Sequence, residues 1–134
     1  MKVCVVGAGA IGGYMAVLIA AAGHEVSVVA RGPHLAAIKA HGMKLIEGDQ
    51  ETICADLIAT DKINELSSQD LVLMALKAHQ IESIVADLAS VMGTETIMVT
   101  LQNGIPWWYF QNFSGPYAGR PVRSVDPRGN YSME

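Results

Sequence analysis

Val3-Cys4-Val5-Val6-Gly7-Ala8-Gly9-Ala10-Ile11-Gly12 is the stretch that decides how this chain is read. Four residues suited to a buried strand run straight into G-x-G-x-x-G, and an uncharged stretch with no proline, residues 11–22, follows with helical character. The strand–turn–helix context is what makes the motif informative. Gly7 permits the tight turn, Gly9 lets the backbone approach a pyrophosphate, and Gly12 lets the helix pack close to the strand. Free N–H groups and the positive end of the helix dipole then face the phosphates. The turn therefore predicts a dinucleotide site built from Gly7, Ala8, Gly9, Ala10, Ile11 and Gly12.

The rest of the composition agrees with a folded α/β domain. The chain has 134 residues, 51% hydrophobic and only 16% charged, which is enough for one core and unlike a disordered segment. Its net charge of −4 and the lack of a Lys/Arg run give no electrostatic footprint for nucleic acid. Residues 3–23 carry no charge and on hydropathy alone could pass for a membrane helix or a signal peptide. The glycines at motif spacing place them instead in a strand and a buried helix, so no membrane partner is expected. Cys4 and Cys54 sit in apolar runs without metal-like spacing and read as reduced, buried thiols of a cytoplasmic protein. His24, His34, His41 and His79 share no ligand spacing, so no metal site is expected.

Outward from the glycine turn, Glu25-Val26-Ser27-Val28-Val29-Ala30 closes a first βαβ unit. Pro33 opens a helix over residues 34–40 that Gly42 ends. Lys44-Leu45-Ile46-Glu47, a Gly48-Asp49 turn and Thr52-Ile53-Cys54-Ala55 predict a β-hairpin. Residues 61–66 read as a short helix, with Asp61 as its cap and Asp70 as the start of the next strand. Asp70-Leu71-Val72-Leu73-Met74-Ala75-Leu76 has the continuous apolar character of a parallel strand covered on both faces. Ile81, Ile84, Val85 and Leu88 predict a helix over residues 80–92, stopped by Gly93. Thr96-Ile97-Met98-Val99-Thr100-Leu101 reads as one more buried strand. The alternation gives a Rossmann-type, doubly wound, mainly parallel α/β sheet with a small β-hairpin insertion. From Pro106 the periodicity disappears. Residues 1–110 are expected to form the cofactor-binding domain and residues 111–134 a linker, with residues 127–134 untethered.

In an open parallel sheet, ligands bind beyond the carboxyl ends of the strands, where the strand order reverses. Polar residues stand at those ends. The second strand ends Val29-Ala30-Arg31, where an NAD-binding domain places a carboxylate for the ribose 2′-hydroxyl. A guanidinium there suits a 2′-phosphate instead, which favours NADP(H) over NAD and FAD; the plainer reading is an exposed surface arginine. Lys77 and Asn103 follow two later strands, on the side where a nicotinamide would lie. A lysine could neutralise a substrate carboxylate or polarise a carbonyl, and an amide could orient the ribose or the substrate. Asn103-Gly104 could equally be a simple turn. Trp107-Trp108-Tyr109-Phe110 reads as packing at a domain junction rather than a base-stacking platform, because no basic groove accompanies it.

Taken together, Gly7-Ala8-Gly9-Ala10-Ile11-Gly12-Gly13, Ala30-Arg31, Leu76-Lys77-Ala78-His79-Gln80 and Leu101-Gln102-Asn103-Gly104 resemble the ketopantoate reductase (2-dehydropantoate 2-reductase) family. The resemblance covers about residues 1–126 and corresponds to that family's N-terminal NADP-binding domain. It implies that Arg31 binds the 2′-phosphate and that Lys77, Gln80 and Asn103 line the nicotinamide and substrate side. It further implies a helical C-terminal domain carrying the general acid and a substrate-binding glutamate, which this chain does not contain. Pro106-Trp107-Trp108-Tyr109-Phe110 and Ser124-Val125-Asp126-Pro127 resemble one subgroup of the family, whereas residues 128–134 depart from its pattern.

The expected function is therefore that of the cofactor half of an NADPH-dependent reductase of a small 2-oxo acid. The resemblance makes that acid ketopantoate and the process pantothenate biosynthesis. Two alternatives stay open: a non-catalytic NADP(H)-binding module, and a related 2-oxo acid reductase with another substrate. Exposed apolar surface at Trp107 and Trp108 is expected to favour self-association.

Overall fold

The structure is a computed structural model that describes residues 1–54 and 57–127. Ala55 of the expected hairpin, the Cys54 side chain and residues 128–134 lie outside the described residues. The first β-strand, β1 (Lys2–Val6), gives way through the glycine turn to helix α1 (Ala10–Ala21) and then to β2 (Glu25–Val29). Pro33 stands in the first turn of α2 (Gly32–His41), where its missing N–H costs nothing, and Gly42 ends that helix at φ 73°. The hairpin pairs β3 (Met43–Glu47) with β4 (Gln50–Cys54) in antiparallel register, and Lys44 meets Glu51 across it at 2.9 Å. Next come a three-residue strand β5 (Ile58–Thr60), a 3-10 turn at Ile63–Glu65, β6 (Gln69–Met74), a 3-10 turn at Ala78–Ser83, α3 (Val85–Leu88) and β7 (Met92–Thr100).

Five strands form one parallel sheet in the order β5-β2-β1-β6-β7, and β3 and β4 form a separate pair. The sheet is doubly wound, and its order reverses between β1 and β6. Alternating side chains divide the interior into two cores. Val3, Val5, Val26 and Val28 pack under α1 and α2 with Ala16, Leu35 and Ile38. Cys4, Val6, Val72 and Met74 pack on the opposite face with Ile81, Ile84, Leu88 and Trp107. Burial pushes the Cys4 thiol from 9.0 up to about 12, so it stays protonated at neutral pH. Among the described residues no helix is long and apolar enough to cross a membrane, and no three His, Cys, Asp or Glu side chains come together as a metal site would need.

Four local expectations are corrected. The helix expected over residues 80–92 is two short pieces. Ser83 and Ser90 turn their hydroxyls back onto the carbonyls of Gln80 and Asp87, and Ile84 N–H bonds to the Ile81 carbonyl three residues back, so the α-ladder is never propagated. Gly93 does not stop a helix but lies within β7. There Gln69 pairs with Met92 and Leu71 with Ile97, a bulge held by Thr96, whose Oγ1 accepts from Gly93 N–H and donates to the Gln69 carbonyl. The helix expected over residues 61–66 is only a single 3-10 turn, because Thr60 Oγ1 takes the Lys62 N–H and pairs with Glu65. Apolar character overstated burial at two places. β7 is an edge strand with Ile97 63% exposed, and α1 buries Gly12, Ala16 and Val17 while Ile11, Tyr14 and Leu18 face outward.

The stretch after Pro106 is a succession of turns. Trp107 is buried in the second core with Val125 packed against that core, and Asp126 is buried too. Its aromatic rings meet one another: Trp107 and Trp108 edge to face at 4.3 Å, and Phe110 with Tyr109, Phe113 and Tyr117 at 5.0 to 5.9 Å.

Candidate functional site

Backbone hydrogen bonds knit the carboxyl ends of four neighbouring strands into one rim. Gly7 N–H reaches the Val29 carbonyl at 3.0 Å, Ala75 N–H the Val6 carbonyl at 2.9 Å, and Leu101 N–H the Met74 carbonyl at 2.9 Å. Above this rim the chain leaves the sheet at Gly7, Ala30, Ala75 and Leu101, so the loops that follow converge.

The three motif glycines have separate duties. Gly7 turns the chain at φ 105°, a conformation costly for any residue with a β-carbon, and a Cβ there would stand 2.9 Å from Leu76 Cδ2. Gly12 lies in α1 directly against the Gly7 carbonyl, with Ala75 Cβ 2.9 Å from where its own Cβ would be, so it sets the helix–strand distance. Gly9 is different, because a Cβ there meets nothing within 4 Å. Its position at the N-cap of α1, with no side chain capping the helix, leaves the first-turn N–H groups without intrahelical partners. Among the described residues, Gly9 thus leaves room beside the uncapped start of α1, which is what an anion held at a helix start requires.

Two clefts open along the rim, with Leu76 as the wall between them. One, of about 190 Å³, is lined by Gly7, Ala30, Arg31, Leu76, Gln80 and Ile84 among others. The other, of about 440 Å³, is lined by Gly9, Ala10, Ile11, Lys77, Gln102 and Asn103 with Ala75, Leu76, Ala78 and Leu101. The structure therefore gathers Gly9, Ala10, Ile11, Lys77 and Asn103 into one opening and sets Gly7, Arg31 and Gln80 in the other. Ala8 and Gly12 are buried behind them and line neither.

Gln80 lies on the Arg31 side of Leu76, not with Lys77 and Asn103 as the resemblance implied. The local hydrogen bonding explains this. Gln80 Oε1 accepts the Lys77 backbone N–H at 3.0 Å, which folds the side chain back over the 3-10 turn and leaves its NH₂ group for the cleft. Arg31 is exposed at the N-cap of α2, and among the described residues it has no carboxylate within ion-pair distance; the same holds for Lys77. Both cations are available to an anionic ligand.

Two residues of the site escaped the sequence reading although both lie inside quoted motifs. Leu76 divides the clefts, and Gln102 carries a buried Nε2 with no hydrogen-bond partner among the described residues. Counting the strand alternation past the end of β7 would have turned Gln102 inward. A further opening of about 450 Å³ lies beside β7 between Met92, Met98, Trp107 and Trp108, and takes in none of the glycine turn.

The comparisons with known proteins fit this geometry. Residues 3–106 match the family model for ketopantoate reductase PanE/ApbA. A 2-dehydropantoate 2-reductase of Mesorhizobium japonicum is 48% identical over 130 residues, covering 96% of this chain and 40% of the relative. A crystal structure from Ralstonia solanacearum assigned as a ketopantoate reductase superposes with a TM-score of 0.85 at 40% identity, over 95% of this chain and 39% of that one. D-mandelate dehydrogenase, solved with NADH and anilino(oxo)acetate, superposes with a TM-score of 0.69 at 27% identity, over 79% of this chain and 35% of that one. The chain thus spans about two fifths of the length of such relatives, corresponding to their N-terminal part. By its glycine turn, its strand order and the match over residues 3–106, this chain belongs to the ketopantoate reductase family.

Proposed function

We propose that this chain is the cofactor-binding part of an NADPH-dependent reductase that converts the ketone of a small 2-oxo acid, ketopantoate, to the alcohol in pantothenate biosynthesis. The observation that carries the cofactor choice is Arg31. Among the described residues it has no ion-pair partner, and it stands just past the end of β2, in the cleft that begins at Gly7, where NAD-binding domains place a carboxylate. Its guanidinium supplies charge-assisted, bidentate hydrogen bonds to a 2′-phosphate, which NADH lacks. The residues fit the group: the open space beside Gly9 would take the pyrophosphate against the start of α1, and Gln80, whose Oε1 is occupied by Lys77 N–H, would have its NH₂ group left to donate at the adenosine end. When bound, NADPH supplies the hydride.

The chain's own part is binding and orientation. Lys77 brings a positive charge to the 440 Å³ cleft, where it offsets the carboxylate of the oxo acid and draws electron density from its carbonyl. Asn103 lies in the same cleft and orients substrate or ribose through its amide. The alkoxide formed on reduction needs a proton. We place its donor outside residues 1–134, in the region that the longer relatives possess in addition. In this arrangement residues 1–110 are the cofactor-binding domain, residues 111–134 lead toward a helical domain, and the protein works in the cytoplasm.

A second reading has a specific observation in its favour, the likeness to D-mandelate dehydrogenase with its NADH and its bulkier oxo acid. Calorimetric titration of the chain with NADPH and NADH separates the cofactors, and tighter NADPH binding is the expected result. Equal affinities would overturn the assignment of Arg31. NADPH oxidation with ketopantoate and with phenylglyoxylate, followed at 1–134 and in a full-length relative, separates the substrates. A chain that binds NADPH in a relative-like manner yet supports turnover in neither form would be a binding module.

A further inference from the structure

Gln102 carries a donor with nothing to donate to. Its Nε2 is sealed from solvent and has no acceptor, alone among the buried side-chain nitrogen and oxygen atoms of the described residues. Folded proteins rarely leave a buried N–H in that state, because the lost hydration is not replaced. The backbone explains how it comes about. Leu101 N–H makes the last bond of the β6–β7 ladder, to the Met74 carbonyl, and Gln102 is the next residue. Strand alternation directs it to the face that holds Met98 and Trp107, beneath the loop that returns over Pro106.

Gln102 forms part of the wall of two openings. One is the 440 Å³ cleft over the glycine turn. The other is a neighbouring cleft of about 180 Å³ whose walls include Ala78, Thr100, Ile105, Pro106 and Trp107 and contain no charged residue. A carboxylate in that smaller cleft would be stripped of water with no cation beside it, which is strongly unfavourable. A neutral group offering a carbonyl oxygen would be matched by the waiting N–H. Arg31 and Gln80 mark the opposite end of the rim, so the group arriving here belongs to the far end of a dinucleotide that crosses Leu76.

We infer that Gln102 binds the carboxamide of the nicotinamide ring, its Nε2–H donating to the carboxamide oxygen and its Oε1 accepting from the carboxamide N–H. This rests on the dinucleotide reading of the site. Gln102 stands beyond the β6–β7 ladder and is only partly buried as a residue, so rotation of its side chain, which would bring the sealed Nε2 to the cleft, requires no movement of β7. Pairing at both ends of the amide fixes the rotation of the ring about its bond to the ribose, and hence which face of the ring looks toward the substrate.

The test uses Gln102→Met and Gln102→Glu in this chain, titrated with NADPH and with 2′-phospho-ADP-ribose, which is the same ligand without the nicotinamide. Thermal unfolding is measured without ligand. Gln102→Met should lower NADPH affinity about tenfold and leave 2′-phospho-ADP-ribose affinity unchanged. Its unliganded melting temperature should hold or rise, because an unpaired buried donor is gone. Gln102→Glu, of the same shape but without the N–H, should lose at least as much NADPH affinity. Unchanged NADPH binding in both variants overturns the inference while leaving the dinucleotide reading intact, and so does an equal loss for the two ligands. A fall in the melting temperature of Gln102→Met also overturns it, since the amide would then have had a structural partner. Failure of the unsubstituted chain to bind either ligand removes the dinucleotide reading and this inference with it.

Discussion

Substituting Gly9 and Gly12 separates the glycine that faces a ligand from the glycine that packs the fold. At Gly12 a β-carbon overlaps the Gly7 carbonyl oxygen and comes within 2.9 Å of Ala75 Cβ, and neither is a flexible side-chain end that could swing away. Relieving the overlap means shifting α1 from the sheet, an overpacking cost of about 3 kcal/mol. For a chain of this length that lowers the melting temperature by about 10 °C. At Gly9 the backbone is extended, with φ −69° and ψ −170°, a conformation open to any residue, and the added atoms meet no protein. Gly9→Val should therefore lose only the difference between glycine and an apolar N-cap, under about 1 kcal/mol. Its branched side chain would, however, fill the space in front of the free N–H groups of α1. Losing two charge-assisted hydrogen bonds to the pyrophosphate, each worth about 1.5–3 kcal/mol, weakens binding more than about a hundredfold. NADPH and NADH should suffer alike, because they share the pyrophosphate. Circular dichroism melts and fluorescence titration on the two variants read the two effects. A well-folded Gly9→Val protein that binds NADPH normally, or a Gly12→Ala protein as stable as the parent, would refute the division of labour.

Arg31→Ala should remove an NADPH preference of about 1–3 kcal/mol while leaving NADH affinity nearly unchanged in calorimetry; loss of both cofactors together would mean that the side chain supports the fold instead. Thr96→Val keeps the shape of the side chain but strands the Gly93 N–H and the Gln69 carbonyl at the β7 bulge, so urea unfolding should show a loss of about 1–2 kcal/mol, largely restored by Thr96→Ser. The Cys4 thiol has a folded-state pKa raised from 9.0 to about 12. The proton is held more tightly in the folded state, so its contribution to stability is complete below pH 9 and disappears as pH rises toward 12. Denaturation at pH 8 and at pH 10.5 should show a steeper decline for the parent than for Cys4→Ala, and parallel declines would argue against burial as the cause. Sedimentation at rising concentration should show self-association that weakens in Trp108→Ser, whose exposed ring lies beside the buried Trp107; a monomer throughout would remove that surface from consideration.

The parts of the fold that were legible in the sequence are those fixed by local chemistry. Gly7 and Gly12 announce β1, α1 and their close approach, and Pro33 and Gly42 bracket α2. What was not legible depends on partners distant in the chain. β5 has three residues, too few for a periodic signal, and exists because Ser27, Val28 and Val29 offer it a ladder. The exposure of Ile97 follows from the edge position of β7, which no run of apolar letters records. The serines that break the helix after Lys77 act through hydroxyl-to-carbonyl bonds, and serine by itself is neutral enough to pass unnoticed. Arg31, Lys77 and Asn103 could be named as candidates because strand ends are readable, and the structure sets all three along the rim of the sheet. Which side of Leu76 Gln80 lines was not legible, because its side chain is directed by a hydrogen bond from Lys77 N–H that spacing does not encode.

The central place of β1 has a bearing on how the chain is made. β1 leaves the ribosome before β2 and finds it soon afterwards, but its other flank is filled by β6, and the Lys2 N–H that reaches Asp70 crosses 68 residues of sequence. At a synthesis rate of roughly 5–20 residues per second, the nascent β1–α1–β2 unit waits several seconds with one backbone edge of β1 unpaired. During that interval Val3, Val5 and their neighbours are a template for any other extended segment nearby. The hazard in producing this protein therefore falls during translation, and slower growth temperature or a nascent-chain chaperone should improve the soluble yield more than any additive supplied after release.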